Sequence, residues 1–139
     1  MSLLNRSQTG SSVIASKVNT IADARSRIVA GLKGQLEIWN KDRGASLPDT
    51  KQKGSNKPAK SSLWFKQKDL NNDWMLKIKL MQTNIYLTEA GKKSRQPYFT
   101  VTEDEMASIM QETIDQISNG EWDKYIRMSV TGTKIKLDD

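Results

Sequence analysis

The chain of 139 residues contains no cysteine and no histidine. Disulfide staples, thiol nucleophiles, zinc-finger spacings, imidazole metal ligands and Ser-His-Asp catalysis are therefore excluded. Carboxylates, lysines, tyrosines and hydroxyls remain, but catalysis is disfavoured, and neither an enzyme activity nor a cofactor is expected. Long apolar runs are also lacking. No window approaches the ~20 apolar residues of a membrane span, and the opening Met-Ser-Leu-Leu-Asn-Arg lacks the apolar stretch of a signal peptide, so a soluble, cytoplasmic protein is expected, in the host cytoplasm if viral. Hydrophobic residues make up 36% and aromatics 6%, which is polar for a fully packed globule, so part of the chain is expected to stay outside the core.

What the chain has is positive charge: 22 lysines and arginines against 16 acids, a net +6. A polyanion is the partner that such a balance suggests first. The length suits one domain with three zones. Residues 1–39 read as a helical segment: from Ser12 to about Leu36, Ile14, Val18, Ile21, Ile28, Leu32 and Leu36 recur mostly at helical intervals. Gly31 and Gly34 are expected to end or kink this helix, after which residues 35–40 could run as a strand. Residues 40–62 hold two prolines, two glycines, six basic residues and two acids. This composition reads as a flexible basic linker or loop, either a solvated spacer or a cationic arm.

Residues 63–139 read as a β-sheet followed by a helix, the expected nucleic-acid-binding core. Leu63 to Lys68 alternates; Trp74, Leu76, Ile78 and Leu80 alternate with Met75, Lys77, Lys79 and Met81; Ile85 with Leu87, and Phe99 with Val101, suggest two further strands. Thr102-Glu103-Asp104-Glu105 matches a capping box, and Met106, Ile109, Met110, Thr113, Ile114 and Ile117 form one apolar stripe up to Asn119-Gly120. A helix over about 103–118 follows. Beyond it, Ile126, Met128 and Val130, then Ile135 and Leu137, alternate about Thr131-Gly132 as in a hairpin. Arg127 would then face Lys136 and Ser129 face Lys134, either an anion-seeking pair of strands or a lysine-guarded edge. The predicted fold is α+β: an N-terminal amphipathic helix, an antiparallel sheet of about four strands, an α-helix and a C-terminal β-hairpin.

Residues 51–101 carry eleven basic residues and three acids (Asp69, Asp73 and Glu89), a balance of +8, whereas the 103–118 helix has five acids and no base. If the Leu/Ile face packs under the helix, the other face presents Trp64, Lys66, Lys68, Lys77, Lys79, Tyr86 and Tyr98. Interleaved lysines and aromatic rings can neutralise phosphates and stack bases without reading sequence. Each ring has a plainer use: Trp74 as core, Trp64 at an oligomer interface, Tyr86 and Tyr98 at the sheet rim, Trp39 and Trp122 as packing. Met75 and Met81 would be soft contacts or meet another subunit.

The order of a basic, aromatic-bearing sheet, the strand Tyr98-Phe99-Thr100-Val101, an acidic cap and the helix Met106 to Ile117 resembles the single-stranded-DNA-binding domain of the positive cofactor four family of transcriptional coactivators. The chain is also similar to small phage-encoded single-stranded-DNA-binding cofactors. The resemblance covers about residues 62–118. Where that family has a glycine-lysine-glycine-like approach to the strand, this chain has Lys93-Ser94-Arg95-Gln96-Pro97, and Met106 and Met110 stand on the helix where a tryptophan is common. The resemblance implies dimers or higher assemblies and a DNA path along Lys66, Lys68, Lys77 and Lys79 and the loop of Lys92, Lys93 and Arg95.

Two functions are expected from these features. The first is a sequence-tolerant single-stranded-DNA-binding protein, with RNA as a further ligand, serving phage or bacterial transcription or replication as a homo-oligomer. The second is an interaction module that docks on a host protein or an RNA polymerase subunit through the acidic or the N-terminal helix. Glu103, Asp104 and Glu105 could hold magnesium in an enzyme, but capping and the helix dipole account for them.

Overall fold

The computed structural model describes residues 18–50, 53, 58–68 and 72–137. Its first helix, α1 (Ile21–Asp42), starts at a reciprocal cap: the Asp23 N–H donates to Thr20 Oγ1 (3.1 Å) and the Thr20 N–H to Asp23 Oδ2 (3.2 Å). Ile21, Ala24, Ile28, Leu32 and Trp39 are buried on one helical stripe. The helix ends at Arg43, which is left-handed (φ 57°) and donates its N–H to the Ile38 carbonyl (2.9 Å). Two expectations are corrected here. Gly31 and Gly34 do not end α1, and residues 35–40 are helical rather than a strand; residues 12–17 lie outside the described residues. A glycine in a helix interior costs ~1 kcal/mol, whereas each fully buried large apolar side chain contributes ~1.5–3 kcal/mol, so the stripe outweighs the breakers.

The expected flexible linker is held at both described ends. Lys60 and Ser61 donate their N–H groups to the Pro48 (2.8 Å) and Asp49 (3.1 Å) carbonyls, Ala59 is buried, and a 3-10 turn spans Lys60–Ser62. Residues 40–49 and 59–62 are therefore tied to the folded unit, the first of them as the last turn of α1, whereas residues 51, 52 and 54–57 of the expected linker lie outside the described residues.

Three strands, β1 (Phe65–Gln67), β2 (Asp73–Leu76) and β5 (Phe99–Thr102), form an antiparallel sheet in the order β1-β2-β5. The registers Phe65↔Leu76, Gln67↔Trp74, Leu76↔Phe99 and Trp74↔Val101 put these residues on one face. The apolar alternation from Trp74 to Leu80 is not one strand. It breaks at Lys77–Ile78 and passes into a separate hairpin of β3 (Lys79–Leu80) and β4 (Thr83–Asn84). Leu76, Ile78, Leu80 and Ile85 are all buried, so the pattern reports burial correctly across a bend. Leu87, expected on a strand, is exposed, and the loop before β5 contains a short helix, α2 (Glu89–Lys93).

Helix α3 (Met106–Ser118) buries Met106, Met110, Thr113, Ile114 and Ile117, as its stripe predicts, and the Glu105 carboxylate accepts the Thr102 N–H at 3.0 Å. It packs beside α1, and both cover the apolar side of the strands. The N-terminal helix thus spends its apolar stripe on its own subunit. The expected C-terminal hairpin is replaced by α4 (Asp123–Val130). Ile126, Ser129 and Val130 are its buried residues, a helical spacing. Asp123 at its first turn bonds Arg25 on α1 (Arg25 Nε to Asp123 Oδ1, 2.9 Å), and Ser129 Oγ accepts the Tyr86 N–H (2.8 Å). The proposed Arg127–Lys136 and Ser129–Lys134 cross-strand pairs accordingly do not exist. Among the described residues no helix is long and apolar enough to cross a membrane.

Candidate nucleic-acid interface

The two faces of the sheet differ in chemistry. On the inner face Phe65 and Trp74 meet Trp39 of α1 edge-on, at ring-centroid distances of 5.3 Å and 4.8 Å. On the outer face the alternation places Lys66, Asp73, Met75, Lys77, Tyr98, Thr100 and Thr102. Lys66 of β1 and Lys77 just past β2 both lie over the Tyr98 ring, with Nζ 4.6 Å and 5.4 Å from its centroid. Lys79 adjoins them: its partial burial and the nearby Lys77 charge lower its pKa, against a smaller upward pull from Tyr98. Two ammonium groups thus share one ring with a third charge close by, and none of the three lysines is paired with a carboxylate among the described residues. An anion seated there would offset the repulsion between Lys77 and Lys79.

The remaining sequence-derived candidates divide. Lys68 is exposed just past β1, with its N–H on the Asp73 carbonyl (3.0 Å). Lys93 and Arg95 are exposed beyond β4 and before β5, on α2 and the turn after it. Lys92 is spoken for: its Nζ donates to the Met128 and Thr131 carbonyls, both at 2.8 Å, and so caps the C-terminus of α4. Trp64 is not an open stacking platform. Its N–H donates to Gln35 Oε1 (2.8 Å), and its ring lies against Gly31 so closely that a Cβ there would come within 2.6 Å. Tyr86 is half-buried, with its backbone tied to Ser129. Of the three proposed stacking rings, Tyr98 is the one gathered with the lysines.

Asp73 on this face was not singled out from the sequence, although alternation from Lys77 through Met75 to Asp73 is the signal that would have put it there; Thr100 lies, with Tyr98, opposite Phe99 and Val101, as their alternation predicts. The acids of the 103–105 segment have structural uses. Glu103 pairs with Arg43, whose guanidinium also lies 4.6 Å from the Trp39 ring centroid, and Glu105 caps the Thr102 N–H. Helix α3 lies under the face opposite the lysines, since Ile109 and Thr113 share a cavity with the inner-face residues Leu76, Phe99 and Val101. The acidic helix α3 therefore lies on the side of the sheet away from Lys66 and Lys77, although Asp73 shares their face. No family model matches this chain, and no curated protein or solved structure matches it.

Proposed function

We propose that this protein binds single-stranded DNA with little regard to base sequence, holding melted DNA for transcription or replication in the cytoplasm of a bacterium or of a phage host. The observation that carries this reading is the placement of Lys66 and Lys77 over the Tyr98 ring, with the charge of Lys79 nearby and no carboxylate paired to any of the three among the described residues. Phosphates replace the missing anions, and a base can stack on the Tyr98 ring once an ammonium turns to the backbone of the strand. Lys68 extends the cationic surface along β1, while the exposed Lys93 and Arg95 add to it from the segment leading into β5. The burial of the α1 stripe within its own subunit removes the apolar helix face on which the docking-module alternative relied in part.

Fluorescence anisotropy with labelled single-stranded and duplex oligonucleotides at several salt concentrations tests the reading. Binding should favour the single strand, vary little between base compositions, and weaken linearly in a log-log plot against salt. A Lys66→Ala/Lys77→Ala double variant should lose about 1.4 of the salt slope, at ~0.7 per phosphate contact on a single strand. Equal affinity for duplex and single strand, or an unchanged slope in the double variant, would refute it.

A further inference from the structure

Strand β5 is an open edge: β2 flanks one side, and no described strand flanks the other. Alternate residues of an antiparallel strand bond to a given neighbour. The bond from the Glu103 N–H to the Asn72 carbonyl (2.7 Å) sets the phase, so Phe99 and Val101 bond toward β2, while Tyr98, Thr100 and Thr102 turn their backbone groups outward. The Thr102 N–H is taken by Glu105. Thr100 is exposed, and both its N–H and its C=O face away from the sheet. Natural edges are guarded by charge, proline, a bulge or a cover, yet Tyr98-Phe99-Thr100-Val101-Thr102 carries no charge and no proline. On the inner side of this edge, Phe99, Thr100, Val101, Ile109, Thr113 and Trp122 line a cavity of about 220 Å³.

We propose that β5 pairs antiparallel with β5 of a second copy of the chain, about a two-fold axis at Thr100. The strand is complementary to itself in this register. Thr100 of each copy donates its N–H to the Thr100 carbonyl of the other, and Tyr98 lies opposite Thr102. On the inner face Phe99 of each copy falls opposite Val101 of the other, covering the cavities from both sides with apolar side chains. Beyond the strand, the acidic Glu103-Asp104 segment of one copy comes alongside the uncharged Gln96-Pro97 of the other, so no like charges are opposed at the two ends. The opposite edge, β1, lacks this property, because self-pairing there would bring Lys66 and Lys68 of two copies together. The axis is perpendicular to the sheet, so the product is a six-stranded sheet with both lysine faces on one side. The pairing does not depend on the nucleic-acid reading.

Sedimentation equilibrium of the full chain over the micromolar range tests it. The expected mass is twice the 15.7 kDa of one chain. Thr100→Pro removes an N–H that the monomer does not use, and should give 15.7 kDa with cooperative melting retained. Because the chain has no cysteine, Thr100→Cys is a clean reporter. Opposed Cα atoms ~5.5 Å apart lie within disulfide range, so this variant should oxidise to a covalent dimer far faster than the exposed-site control Ser118→Cys. A wild-type chain that stays at 15.7 kDa, a folded Thr100→Pro variant that remains dimeric, or equal cross-linking of the two cysteine variants overturns the proposal. If Thr100→Pro does not fold, the cysteine comparison decides alone. An edge that captures only a foreign peptide appears as the monomeric outcome and also overturns it.

Discussion

Gly31 and Gly34 show how far the identity of a residue falls short of its role. Both occupy the interior of α1, where alanine is favoured by ~1 kcal/mol, but a Cβ at Gly31 would meet the Trp64 ring at 2.6 Å and one at Gly34 meets nothing within 4 Å. Gly31→Ala should lower stability by ~1–2 kcal/mol and Gly34→Ala raise it by up to ~1 kcal/mol, in opposite directions along a urea denaturation curve. In the sequence the two glycines look alike, because the contact that separates them comes from a residue 33 positions away from Gly31, at Trp64. Lys92 shows the same gap for charge. Counted with Lys93 and Arg95 it looks like a phosphate contact, but its ammonium holds two carbonyls of α4. Lys92→Met keeps the stem and removes the donor, so stability should drop by ~1–2 kcal/mol while the salt slope of DNA binding changes little, the reverse of a substitution at Lys77.

At the scale of elements, α3 was legible because thirteen residues repeat one helical stripe behind a capping signal. The segment 123–130 was not, because Ile126, Met128 and Val130 also satisfy a strand period and eight residues are too few to break the tie. Contacts from elsewhere select the helix: Arg25 binds its first turn, Tyr86 bonds Ser129, and Lys92 caps its end. The Arg25 guanidinium holds the Asp123 carboxyl below its usual range, chiefly by hydrogen bonding. A depressed carboxylate pKa adds stability that is present above the unfolded-state value and is lost as pH falls through the folded-state one. The stability advantage of wild type over Asp123→Asn should therefore be fully present at neutral pH and begin to decline only as pH falls below about 4, as followed by thermal unfolding across pH. Both side chains are partly exposed, so the advantage should be ~1 kcal/mol or less.

For the whole molecule, alternation indicated which residues share a face. Lys66, Lys77 and Tyr98 do meet on that face, because period two is a local property of the extended backbone. By itself the sequence determined the class of the fold, the start and stripe of α3, the burial of the apolar set from Leu76 to Ile85, and the chemistry excluded by the absence of cysteine and histidine. These follow from composition and from short-range periods. Tertiary structure alone decided that α1 runs unbroken through two glycines and packs on its own strands, that the run from Trp74 to Leu80 bends between two sheets, that 123–130 is helical, and that Trp64 and Lys92 are used internally. Each of those outcomes turns on a contact between residues far apart in the chain, whose energy competes with local preferences of about 1 kcal/mol. No short window of sequence contains it.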